Sequence, residues 1–147
     1  MMETSNSVWM RAPAERIYTL AAEVERWPEI LPHYRWVTVL EREGNRTLVE
    51  MAARRDWIPV SWRAEQTLFP DRPLIRFRHV RGVTTGMEVE WRFEPMGGGT
   101  LVTIHHALDL RWPLIGRWAA ETVVGPQFIA HIAGKTLRHI KQLAESA

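Results

Sequence analysis

From His33 to Leu110 apolar and polar residues alternate with period two, and turn chemistry breaks the alternation at near-regular intervals. Successive side chains of an extended strand point to opposite faces, so such a stretch specifies strands with one apolar face rather than helices. Gly44-Asn45, Pro70-Asp71-Arg72-Pro73, Gly82 and Gly97-Gly98-Gly99 supply the punctuation. Strands are expected over 34–43, 47–54, 58–69, 74–80, 87–93 and 101–110. A further strand is expected over 4–11, where Val8 and Met10 fall on one side and Trp9 on the other. Seven strands with short connections make an antiparallel meander the economical topology.

Helical patterning is confined to what flanks this block. Pro13 suits a first helical turn, with Glu15 near the positive end of the dipole. Ile17, Leu20, Ala21 and Val24 then form one apolar stripe, which predicts a helix over 13–22. Trp27-Pro28 and Leu31-Pro32 bracket a short second helical turn, because each proline disfavours helix in the residue before it. Farther along, Ile129, Ala133, Thr136, Ile140 and Leu143 recur at spacings of four and three, flanked by Phe128 and Ile132. Pro126 follows Gly125, so this helix either begins there or starts near Leu114 and kinks. Residues 118–124 are helix-compatible, and the kinked long helix is the expectation.

These elements describe an α+β fold. A chain of 147 residues with 46% hydrophobic content fits one domain, taken as 1–147. One curved sheet of seven strands offers more apolar area than one long amphipathic helix covers. The expected result is an internal cavity between sheet and helix, or a homodimer interface that makes up the shortfall. Eight Trp residues, against two Tyr and four Phe, fit an aromatic-lined pocket or an interface, since a buried indole N–H needs a partner.

Several classes are excluded or disfavoured. Cysteine is absent, which rules out disulfides, thiolate zinc sites, iron–sulfur centres and a cysteine nucleophile. No apolar run approaches the roughly 18 residues that span a bilayer. The opening MMETSNSVW has no basic region followed by an apolar stretch, and the expectation is a soluble, cytoplasmic protein. The net charge is only +2, and Arg and Glu interleave along the strands (Arg63 and Glu65; Glu88, Glu90 and Arg92), which argues against nucleic acid. Only Arg54-Arg55 and the Arg76, Arg78, Arg81 group resemble a basic patch.

Alternation also assigns faces. Val60, Trp62, Ala64, Gln66 and Leu68 share one side of their strand; Ile75, Phe77 and His79, then Met87, Val89, Trp91 and Phe93, then Val102, Ile104, His106 and Leu108 form the matching sides of theirs. Arg76 and Arg78 fall outside by this pattern, although long side chains could instead close on an acidic ligand. The inward wall is therefore wide and aromatic, with Gln66, His106, His79 and Tyr34 as its polar groups. Each has a plain structural explanation, a bonded core histidine or a satisfied amide. Their convergence on one aromatic surface is what pockets for apolar ligands require. Other chemistry fails on geometry. His105 and His106 point to opposite faces and cannot share a metal, and Asp109 is the only acid near them. H-E-x-x-H and G-x-S-x-G are missing, the glycine triplet opens a strand rather than a helix, and the carboxylates lie mostly outward. Neither a metal nor a cofactor is expected.

At the level of motifs, A-P-A-E-R-I-Y-T-L-A-A-E-V-E-R-W-P-E-I-L-P-H-Y (12–34), V-L-E-R-E-G (39–44) and P-x-F-I-x-x-I (126–132) are similar to the polyketide cyclase/dehydrase and coenzyme-Q-binding branch of the START-like (SRPBCC) superfamily. Residues 24–34 are the most specific part, and the likeness extends over nearly the whole chain. The resemblance implies a helix-grip fold, with the sheet wrapped around a long C-terminal helix. It also implies a hydrophobic ligand such as a lipid, a quinone or an aromatic polyketide. In the aromatase/cyclases of that branch, an inward Arg after a Ser-Trp pair is thought to polarise a carbonyl, helped by a Tyr after the W-P turn. Here Tyr34 is kept, but Ser61-Trp62-Arg63-Ala64-Glu65 leads to Gln66 at the Arg position. A neutral amide stabilises a developing enolate far less than a cation does.

Three readings follow. The first is a binding or carrier protein whose pocket is formed by Tyr34, Val60, Trp62, Gln66, Phe77, Met87, Val89, Trp91, Ile104, His106, Phe128 and Ile132, with residues 55–59 and 80–86 over its mouth. The second is a cyclase or dehydratase working by enolisation, with Tyr34 and His106 as proton-transfer groups. The third is an interaction domain using a Trp-rich surface that includes Trp112 and Trp118.

Overall fold

The computed structural model describes residues 2–55, 57–82, 84–108 and 126–146. Seven strands, β1 (Met2–Met10), β2 (Tyr34–Glu43), β3 (Arg46–Arg55), β4 (Ile58–Phe69), β5 (Leu74–Gly82), β6 (Glu88–Met96) and β7 (Gly99–Leu108), form one antiparallel sheet in the order β1-β7-β6-β5-β4-β3-β2. Two short helices, α1 (Ala14–Ala22) and α2 (Trp27–Ile30), follow β1, with a 3-10 turn at Val24–Arg26 between them. The long helix α3 (Pro126–Glu145) packs along β1 and α1. This is the α+β arrangement anticipated from the alternation. The kink and the helical start near Leu114 lie outside the described residues.

Element ends differ from expectation by small, explicable amounts. Pro13 caps α1 from an extended conformation instead of opening its first turn. The glycine triplet divides: Gly97 and Gly98 take positive φ in the turn, while Gly99 already belongs to β7. On α3 the buried stripe is Ile129, Ala133, Thr136, Leu137, Ile140 and Ala144; Leu143, expected in it, is 38% exposed. Real helices turn by 3.6 residues, and the 4-3-4-3 spacing drifts off the covered side by the fourth repeat.

Curvature has local causes. β2 carries irregularities between Tyr34 and Trp36 and between Val39 and Glu41, and β4 pairs with β5 through another between Arg63 and Ala64. An extra residue on one strand bends it and tightens the twist. Gly82, at φ 109°, lies so close to β4 that a Cβ there would meet the Ser61 carbonyl at 2.9 Å.

The convex face carries the charge. Arg76 Nε lies 3.0 Å from Glu90, Arg92 pairs with the same carboxylate, and Arg46 with Glu65. Arg76 and Arg78 are both exposed there, so neither reaches the concave side. On the concave side three bonds hold the β1–β2 connection. The Tyr18 hydroxyl donates to the Leu74 carbonyl (3.1 Å), Trp27 Nε1 to Leu20 (3.2 Å) and Gln66 Nε2 to Ala22 (2.9 Å). Ala22 is the last residue of α1, whose terminal carbonyls lack helical partners. Gln66 is only 2% exposed, so its loss leaves that carbonyl without its donor. Gln66→Leu should therefore lower the unfolding free energy by about 1–3 kcal/mol in a urea titration.

Candidate functional site

The concave surface and α3 border a cavity of about 80 Å³. Its floor is Met51 of β3, Val60 and Trp62 of β4, Phe77 and His79 of β5, Val89 and Trp91 of β6, and Ile104 and His106 of β7. Trp27 of α2 and Tyr34 of β2 close one side. Ile129, Ile132, Ala133 and Thr136 of α3 form the roof, and Thr84 and Met87 come from the β5–β6 connection. Each strand delivers alternate residues, as the pleat demands.

The rings are mutually braced. Trp27 lies 4.9 Å from Tyr34 at 66°, 5.9 Å from Trp91 and 6.3 Å from Phe77. Tyr34 meets Trp62 edge-on at 6.2 Å, and Trp62 stacks on His79 at 5.5 Å and 6°. Trp62 alone among these tryptophans is half-buried. An apolar void of roughly 150 Å³ admits benzene, and pockets for larger organic ligands run to roughly 300–1,000 Å³. Entry of a ring system therefore requires wall side chains to move, and Trp62 is the half-buried ring among them.

The polar groups on this surface are neutral. Burial lowers the His79 pKa to about 3, with His106 contributing, and lowers that of His106 to about 4, with His105 contributing. Burial raises the Tyr34 phenol above its ordinary value, opposed by the Thr136 hydroxyl. His79 Nδ1 shares a 2.6 Å hydrogen bond with Thr84 Oγ1. His106 Nδ1 is buried with no partner among the described residues. Behind the roof, His33 Nε2 is 2.7 Å from Thr136 Oγ1, which itself donates to the Ile132 carbonyl at 2.8 Å. Burial, then the charges of Lys135 and its neighbours on α3, lowers His33 to about 4. No Arg, Lys, Asp or Glu lines the cavity among the described residues, and none of their His, Asp and Glu side chains form a group of three able to hold a metal.

Of the residues singled out from the sequence, the structure brings together Tyr34, Val60, Trp62, Phe77, Met87, Val89, Trp91, Ile104, His106 and Ile132. Gln66 is inward but lies outside the cavity lining, at the α1 crossover. The Phe128 side chain, Trp112, Trp118 and Asp109 lie outside the described residues. Sequence reasoning passed over Trp27, Met51, Thr84, Ile129, Ala133 and Thr136 as pocket residues. Met51 was open to discovery, since it alternates with Val49 and Ala53 on β3. Thr136 was in the helix stripe but stood there as packing. Thr84 has no periodic signal of its own and is covered only by the expectation that residues 80–86 lie over the mouth.

Comparison with known proteins agrees with this architecture. Residues 10–123 match the family described as polyketide cyclase/dehydrase and lipid transport. The granaticin polyketide synthase bifunctional cyclase/dehydratase of Streptomyces violaceoruber is 33% identical over 106 residues, covering 70% of this chain and 33% of that protein. This chain thus spans about a third of that relative's length. A putative polyketide cyclase of Streptomyces halstedii is 30% identical over 108 residues, covering 67% of this chain and 94% of that one. Among solved structures, a protein of Thermus thermophilus is 26% identical, with TM-score 0.83 over 99% of this chain and 100% of its own. The Zhui aromatase/cyclase of a Streptomyces species shares the fold at 19% identity, with TM-score 0.87 over 98% and 93% of the two chains. The chain belongs to the polyketide cyclase/dehydrase and lipid transport family.

The buried imidazoles tie stability to pH. His79 and His106 titrate lower folded than unfolded, so their contribution is complete above about pH 6.5 and is lost as pH falls through that value toward about 3 and about 4, respectively. Each contributes a slope of up to about 1.4 kcal/mol per pH unit in that window. Urea midpoints should fall steeply from pH 6.5 to 4.5. His106→Phe should flatten the dependence by close to one proton.

Proposed function

We propose that this family member binds, and carries, an uncharged hydrophobic molecule bearing at least one ring, such as an aromatic polyketide or a quinone, or a lipid of similar character, in the cavity between sheet and α3. One observation carries the reading: the described lining is aromatic and aliphatic, with a few neutral hydrogen-bonding groups and no charged side chain. Such a lining rewards removal of apolar surface from water and penalises an ionised guest that finds no counter-charge. The resting volume is small, so binding is coupled to an outward swing of wall side chains, with Trp62 the most exposed of the aromatic ones.

The relatives named as cyclases and dehydratases support a second reading, enolisation of a polyketone. In it His106 accepts a proton from a methylene flanked by carbonyls, and Tyr34 donates a proton to the oxygen that becomes an enol. Magnitudes favour binding. A general base works best with a pKa near the operating pH, and His106 is held at about 4. The described lining also offers no cation for the developing oxyanion.

Native mass spectrometry of the purified protein, before and after solvent extraction, should find one small molecule per chain, and naphthoquinone added afterwards should quench tryptophan fluorescence saturably. Ala133→Leu, which pushes a larger side chain into the cavity, should weaken that binding about tenfold or more, the equivalent of about 1.4 kcal/mol. An extracted protein that takes up no guest would sink the binding reading. For the second reading, Tyr34→Phe and His106→Ala should each slow turnover of a cyclisable polyketone by about 100-fold or more; unchanged turnover would discard it.

A further inference from the structure

Among the cavity's polar groups His79 is held through its backbone, one ring nitrogen and one ring face. Its backbone N–H donates to the Met87 carbonyl and its carbonyl accepts from Gly86, both at 2.9 Å. The connection between β5 and β6 turns on Gly82 and Gly86, both at positive φ, and is closed by Met87 N–H bonding the Thr84 carbonyl at 2.9 Å. That turn carries Thr84, itself buried, to within 2.6 Å of His79 Nδ1. Trp62 covers one face of the imidazole. What remains is Nε2, on a cavity-lining ring only 6% exposed and without a hydrogen-bond partner among the described residues. With Nδ1 tied to Thr84 and one ring face covered by Trp62, Nε2 is the imidazole atom left for a guest in the cavity to pair. His106, 9% exposed in the same cavity, also has an unpaired nitrogen.

We propose that His79, held by Thr84, is a specificity-determining residue whose Nε2 pairs with a neutral hydroxyl on the ligand's ring. The assignment rests on the binding reading above and narrows it to hydroxylated aromatic guests. A hydroxyl both donates and accepts, so it satisfies Nε2 in either tautomer. A bare hydrocarbon leaves the nitrogen unpaired, and a carboxylate enters without a counter-charge.

The test is calorimetric titration of the intact protein with three probes of one skeleton: naphthol, naphthalene and naphthoate. The wild type should bind naphthol about tenfold or more tightly than either of the others. In His79→Phe the naphthol-to-naphthalene ratio should collapse to about threefold or less. Thr84→Val keeps the imidazole but unties it, and should reduce the same ratio; it serves alone if His79→Phe does not fold. A ratio measured within one protein is insensitive to a general loss of stability. A wild type without the preference, or variants that retain it, would overturn the role of His79 and leave the binding reading standing. Failure of all three probes to bind the wild type would overturn the binding reading itself.

Discussion

The pairing of β1 with β7 sets the terms for everything else. It puts the first strand at one margin of the sheet while β2 stands at the other, so the chain between them must cross the whole concave face. α1, the 3-10 turn and α2 make that crossing, and they close one side of the hollow before α3 covers the rest. The crossing is held by side chains donating to main-chain carbonyls, from Tyr18, Trp27 and Gln66. α3 is fixed in turn from β1 and α1: Asn6 Nδ2 donates to Ala130, the Arg11 N–H to Glu145 and Arg16 to Ala144. The cavity is what remains where neither cover reaches the floor.

Charge is partitioned with the faces. Outside, Arg and Glu side chains pair in solvent, where each pair contributes little to stability. Inside, burial strips the histidines of their charge, leaving neutral hydrogen-bonding groups on the cavity wall. The tryptophans divide as well. Trp27, Trp62 and Trp91 wall the cavity, and Trp9 satisfies its indole N–H on the Met96 carbonyl at 2.7 Å. Trp57, at the tip of the β3–β4 hairpin, is 84% exposed.

The sheet was legible in the sequence because period two reports faces directly. It placed Trp62, Phe77, Val89, Trp91, Ile104 and His106 on one surface and sent Arg76 and Arg78 to the other. Alternation reports the face of a residue but not which cover lies above it. Gln66 was assigned inward and is inward, yet it sits beneath α1 and serves the crossover instead of the cavity. Trp27, Thr84 and Thr136 escaped for a related reason. They reach the cavity from a short helix, a turn and the facing helix, through a geometry that only the closed fold creates. His33 is legible only once Thr136 stands beside it.

The interruptions of β2 have an effect beyond bending. An outermost strand offers main-chain donors and acceptors that another polypeptide could copy, and straight apolar margins of this kind seed fibrils. β2 shows solvent Trp36 and Leu40, which would make it sticky, but its two bulges break the row of free amides into short lengths, and Glu41, Arg42 and Glu43 charge its far end. That margin, bent and charged at its far end, is a poor template for the addition of another strand.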